Sequence, residues 1–176
     1  MRWGVCGCLT AVASCGLAAC QRQGSADAGT TLSSSKAPFS IHVSMPDGWS
    51  AESAPDGSFR AGPAGRWVLR IDRRAGAAGE LPSPAELKEQ FDQEIKPVKT
   101  SVKLERSSDS ASIVVFAFTP SGANAAEQFV MLGAKRASND LFLCATFPGR
   151  DLPEARDAAR ACEELSVQRA NPSRRD

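Results

Sequence analysis

The sequence contains no tyrosine, one histidine and only 6% aromatic residues. A lone histidine, His42, leaves the common nucleophile–base pairs and closed His/Cys zinc sites without their parts. Neither sign of charge is in excess: 21 Lys and Arg against 20 Asp and Glu give a formal net charge of +1. Such a balance makes no global field that would attract nucleic acid, and no nucleic-acid partner is expected. No apolar run reaches the roughly 20 residues of a membrane-spanning helix. Gly62-Pro63-Ala64-Gly65 and Gly76 to Gly79 match neither a P-loop nor a dinucleotide fingerprint. The acidic residues are scattered rather than spaced as a calcium loop. The expectation is therefore no cofactor, no metal and no catalytic residue. His42 falls on the polar side of a strand, which predicts a solvated or edge position.

What is present begins at the N-terminus. Arg2 is followed by a short apolar run with small residues interspersed, and the next charge is Arg22. Positive start, apolar middle and small residues before a cut site are the parts of a secretory signal. Leu17-Ala18-Ala19-Cys20 closes the run and resembles the bacterial lipoprotein lipobox. That resemblance implies a signal peptide over residues 1–19 and a lipid on Cys20, the first residue left after cleavage. The other readings of this stretch are an ordinary signal peptide cut near Ala19 and a cytosolic N-terminal helix. A lipoprotein would sit in the cell envelope of a bacterium, at the periplasmic face of the outer membrane or the cell surface rather than the inner membrane. Two or more acyl chains give stable anchoring, at about 0.8 kcal/mol per buried methylene. Residues 20–37 hold one large aliphatic side chain, Leu32, and predict a flexible spacer.

Of six cysteines, the lipobox resemblance implies that Cys6, Cys8 and Cys15 would leave with the signal and Cys20 would carry the lipid. Cys144 and Cys162 remain, and an oxidising compartment permits one intramolecular bridge. The other reading is two buried free thiols.

Residues 38–168 carry the pattern of a single α+β domain. Phe39, Ile41, Val43 and Met45 alternate with polar residues, the period of a half-buried strand. Pro46-Asp47-Gly48 is turn chemistry, with Trp49 behind it as an apolar anchor. A weak strand is expected around Phe59, and another through Trp67, Leu69 and Ile71, with Val68 and Arg70 on its other face. Arg70, Arg73 and Arg74 with Asp72 read as a solvated strand end, with a weak anion or headgroup contact as the alternative. Ser83, Pro84 and Glu86 form a capping-box start for a helix whose Leu87, Phe91 and Ile95 share a face, and Pro97 ends it. Strands over 98–104, 113–118, 127–137 and 141–147 then predict an antiparallel meander. Apolar residues on both faces of 113–118 mark a central strand. A second helix opens at Asp151 and buries Ala155, Ala158, Ala159, Cys162 and Leu165. Cys162 then looks inward toward Cys144 on the strand before it, which favours the bridge. Residues 169–176 predict a disordered tail.

The opening Phe39-Ser40-Ile41-His42-Val43-Ser44-Met45-Pro46-Asp47-Gly48-Trp49 resembles the strand, Pro, Gly-Trp start of the PsbP-like superfamily, which includes bacterial DcrB-like lipoproteins. The ending, Leu141 to Phe147 followed by a helix reaching Leu165-Ser166-Val167, is similar too. The resemblance implies an α-β-α sandwich: an antiparallel sheet of about six to seven strands flanked by two helices. It also implies a protein-binding role with no shared active site, so only turn and core roles for Gly48 and Trp49 carry over. The expected function is a membrane-anchored, non-catalytic binding or assembly module with an envelope protein as partner. The alternatives are a chaperone-like module that grips apolar segments and an enzyme with an unrecognised site.

Overall fold

The computed structural model describes residues 30–33, 39–77, 79–122 and 125–169. The lipobox, Leu17 to Cys20, and residues 170–176 of the expected tail lie outside them. The elements run β1 Thr30–Ser33, β2 Phe39–Val43, β3 Trp49–Ser53, β4 Phe59–Pro63, β5 Leu69–Arg74, α1 Pro84–Ile95, β6 Lys99–Ser107, β7 Ala111–Thr119, β8 Gln128–Ala137, β9 Asp140–Thr146, α2 Leu152–Glu163 and β10 Ser166–Arg169. Seven strands form one antiparallel sheet in the order β3-β4-β5-β9-β8-β7-β6; β1, β2 and β10 form a second, with β2 central. The class is α+β, as the alternating patterns predict.

The sheet has two unequal faces. Ile113, Val115, Met131, Phe142 and Cys144 point to one side, where α2 and the small sheet close the larger core with Ile41, Val43, Ala158, Cys162 and Leu165. Val114, Phe116, Phe118 and Val130 point to the other, where α1 covers them with Leu87 and Phe91. β7 lies second from the edge, yet every residue from Ala111 to Phe118 is buried. It reads as a central strand because helices cover both its faces, and burial rather than rank in the sheet dictates an unbroken apolar run.

Alanines on the inner stripe of α2 let it lie close to the sheet, and its Cys162 reaches Cys144 at disulfide distance, with Cα atoms 6.2 Å apart. Gly133 of β8 makes the room. A Cβ there would stand 3.2 Å from Cys162 Sγ and 3.2 Å from Ile113 Cγ1. Arg66 on the β4–β5 loop pairs with Glu154 in the first turn of α2, and Arg106 of β6 pairs with Glu163 in its last turn. The helix is thus tied at both ends as well as in the middle.

Several expectations are corrected. Thr30–Ser33, expected within the spacer, is a strand on β2. The second helix stops at Glu163, and Ser166–Arg169 returns as β10 on the opposite edge of β2, so Arg169 belongs to a strand and not to the tail. Trp49–Ser53 forms an unexpected strand, β3, while Trp49 packs against the main core as the expected apolar anchor. Val68, expected to share a strand face with Arg70, is fully buried while Arg70 is exposed. The β4–β5 turn doubles back so tightly there that a Cβ on Gly62 would lie 2.2 Å from Arg66 O and 2.8 Å from Val68 N. In α1, Leu87 is buried and Phe91 packs edge-on against Phe116 and Phe118, but Ile95 is 48% exposed. Spacing by four in a helix of 3.6 residues per turn rotates each side chain about 40° further from the core.

Candidate binding face

Cross-strand register builds the site. One row runs Glu52, Arg60, Arg70, Ala145, Leu132, Val114 across β3, β4, β5, β9, β8 and β7. Helix α1 packs on β6, β7 and β8 and so covers only the apolar end of this row. Leu143 and Ala145 of β9 are left half-buried, while Glu52, Arg60 and Arg70 are exposed.

Arg60 and Arg70 stand directly opposite one another, an arrangement that costs stability because like charges face across a strand pair. Two contacts relieve it. Arg70 Nε donates to Asp72 Oδ1 at 2.9 Å, and the Arg60 guanidinium lies over the Trp67 ring, 5.9 Å from its centroid, a geometry suited to cation–π attraction. A cleft of about 490 Å³ opens here between Glu52, Arg60, Arg70, Asp72 and Phe147. Beyond β9, beside α1, lies an apolar groove of about 310 Å³ with Phe91, Ile95, Phe118, Val130 and Leu132 in its walls. Charged cleft and apolar groove share one side of the sheet.

The turn below the cleft is held rigidly. Asp56 accepts from the Ser58 N–H at 2.9 Å and from its hydroxyl at 3.1 Å. The Ser58 N–H is the main reason the Asp56 carboxyl is held below its ordinary 3.8; slight desolvation opposes, and the Ser58 hydroxyl adds to the lowering. Ser58 Oγ in turn accepts from the Arg73 N–H at 3.1 Å. Arg73 donates to Asp56 O at 3.0 Å and to Asp140 Oδ2 at 2.7 Å, and Asp140 Oδ1 receives the Gly76 N–H at 2.9 Å. The Arg70–Arg74 patch is therefore not one solvated strand end. Arg70 and Asp72 face the cleft, whereas Arg73, with a side chain only 16% exposed, is a structural pin joining the β3–β4 turn to β9.

Guanidinium groups set in an open cleft suit recognition of carboxylate groups. His42 is on the small sheet, where its Nε2 lies 3.2 Å from Ser40 Oγ, with Ser166 and Gln168 as cross-strand neighbours. It is half-buried rather than solvated. Among the described residues no His, Cys, Asp and Glu side chains gather into a metal-holding group, and no helix is long and apolar enough to cross a membrane. Glu52, Arg60 and the groove beside α1 were missed by pattern reading. The signal that would have found the first two is the short β3–β4 hairpin around Asp56-Gly57, which sets Glu52 against Arg60.

The fold and this face together define an α+β domain with a half-uncovered antiparallel sheet. No protein-family model matches the chain, and comparison with curated proteins gives no match.

Proposed function

We propose that this chain is a bacterial envelope lipoprotein, anchored through lipid on Cys20, whose PsbP-like domain is a non-catalytic binding or assembly module for another envelope protein. The observation that carries the binding role is the uncovered half of the sheet. There a row of apolar and charged side chains is left without a second helix, and the exposed Arg60 and Arg70 offer guanidinium donors to a carboxylate-bearing partner. The lipobox carries the anchor. A lipid anchor would concentrate the domain at the membrane where such a partner resides.

Two measurements test this reading. Labelled palmitate is expected to enter the wild-type chain and not the Cys20→Ala variant; incorporation that persists in the variant refutes the anchor. A photo-crosslinking residue placed at Arg70 in living cells is expected to give one discrete protein adduct, absent when the same probe replaces Glu94 on the outward side of α1. Identical adduct patterns from both positions refute the binding face. The apolar groove beside α1 favours a second reading, a chaperone-like module gripping apolar segments. In that case a probe at Ile95, not Arg70, captures many different clients.

A further inference from the structure

The large hydrophobic side chains left most exposed on the described surface fall at one corner. Ile95 is 48%, Val98 73% and Val102 42% exposed. Each is followed directly by a lysine: Lys96, Lys99 and Lys103, all exposed. The segment from Ile95 to Leu104 contains no acidic residue, Glu94 and Glu105 closing it at either end. Geometry holds the corner together. Pro97 disfavours α conformation before it, and Lys96 takes φ 50, ψ 57 to end α1. The Val98 N–H donates to Thr119 O at 2.9 Å, and Ser121 Oγ donates to Lys96 O at 3.0 Å. Val102 stands opposite Phe116 on the side of the sheet that α1 covers, so Val102 and Ile95 lie about the same helix end.

We infer that this corner is a membrane-contacting tip: Ile95, Val98 and Val102 enter the headgroup–acyl boundary of an anionic phospholipid surface while Lys96, Lys99 and Lys103 reach back to lipid phosphates. Aliphatic side chains interleaved with long cationic ones suit that boundary, because a lysine stem runs along apolar surface and keeps its ammonium among the headgroups. Charge complementarity selects the occupant: three lysines without an internal acid face an anionic leaflet favourably. A second copy of the chain is the poorer fit. Edge strand β6 is bulged between Val102 and Leu104 and carries Lys99 and Lys103, both devices that oppose strand-to-strand association. The inference does not depend on acylation, and its test removes it.

The full chain bearing Cys20→Ser is floated with phosphatidylcholine vesicles and with vesicles that also contain phosphatidylglycerol, at low and high salt. Val98→Asp and Val102→Asp are each expected to weaken binding to the anionic vesicles about tenfold. Each Lys→Gln change at 96, 99 or 103 is expected to weaken it about fivefold at low salt and less at high salt. Val98 is so exposed that its substitution leaves the far-ultraviolet circular dichroism unchanged. Equal binding to both vesicle types overturns the inference. So does lysine dependence with no effect of Val98→Asp, which is adhesion by charge alone. A discrete protein adduct from a photo-crosslinker at Val98 in a chain that binds neither vesicle assigns the corner to a protein instead.

Discussion

Gly133→Ala adds one methyl group where the sheet meets α2, and its effect follows from the neighbours. The new Cβ would stand 3.2 Å from Cys162 Sγ and 3.2 Å from Ile113 Cγ1, inside the roughly 3.5–4.0 Å of a relaxed carbon contact. Replacing a strand glycine would by itself stabilise by about 0.5–1 kcal/mol through lost backbone freedom. Overpacking a closed core costs about 1–3 kcal/mol, and the sulfur cannot retreat because its partner fixes it to β9. The net expectation is a loss of about 1–2 kcal/mol, read from urea unfolding under oxidising conditions with an unchanged slope. Cys144→Ala with Cys162→Ala removes the obstructing sulfur and, with a sequence separation of 18, costs about 3 kcal/mol by the chain-entropy argument. In that background Gly133→Ala should cost about 1 kcal/mol less than in the parent, a coupling that a double-mutant cycle isolates. Additive effects, or an alanine variant as stable as the parent, would refute the claim that this glycine exists to admit the cysteine pair.

Asp140→Ala removes the acceptor of both Arg73 and the Gly76 N–H. With Arg73 and Asp140 side chains only 16% and 13% exposed, thermal unfolding should show a loss of about 2 kcal/mol, little changed by added salt. Ser138 closes the β8–β9 hairpin at φ 59, so Ser138→Gly should stabilise by about 1 kcal/mol, raising the melting temperature by roughly 2–4 °C. The Asp56 carboxyl is held below its ordinary 3.8, so its contribution is complete above that value and is lost as pH falls through the lower, folded-state value. Stability measured against pH should therefore separate wild type from Asp56→Ala at neutral pH and bring them together at strongly acid pH. A gap that widens on acidification contradicts the sign.

Where a single local rule governs, the sequence is a sufficient guide to the fold. The capping boxes at Ser83/Glu86 and Asp151/Glu154 place the helix starts, and the apolar run from Ile113 to Phe118 places the strand buried on both faces. Small alanines at helical spacing orient α2, and with it Cys162. The failures share a cause. Thr30–Ser33 and Ser166–Arg169 are four-residue strands with one large apolar residue each. Their existence rests on hydrogen bonding to the two edges of β2, a non-local fact that periodicity does not contain. Val68 misleads for the same reason: its burial comes from the close return of the chain over Gly62.

The proposed binding face illustrates the limit more sharply. Arg70 and Asp72 are visible as a charged pair two residues apart, but nothing in the local pattern distinguishes them from Arg73, two positions along from Ile71 on the other side of the strand. Their difference arises when β4 aligns Arg60 with Arg70 while Asp140 and Asp56 O capture Arg73. One arginine is thereby consumed in holding the fold, and two are left facing each other in the open. Each still has an acid within reach: Glu52 faces Arg60 across β3 and β4 and Asp72 accepts from Arg70, so an acid at either position would gain one opposite pair and lose another. The half of the sheet that α1 leaves open, with these two arginines exposed on it, is the observation that supports the proposed contact face.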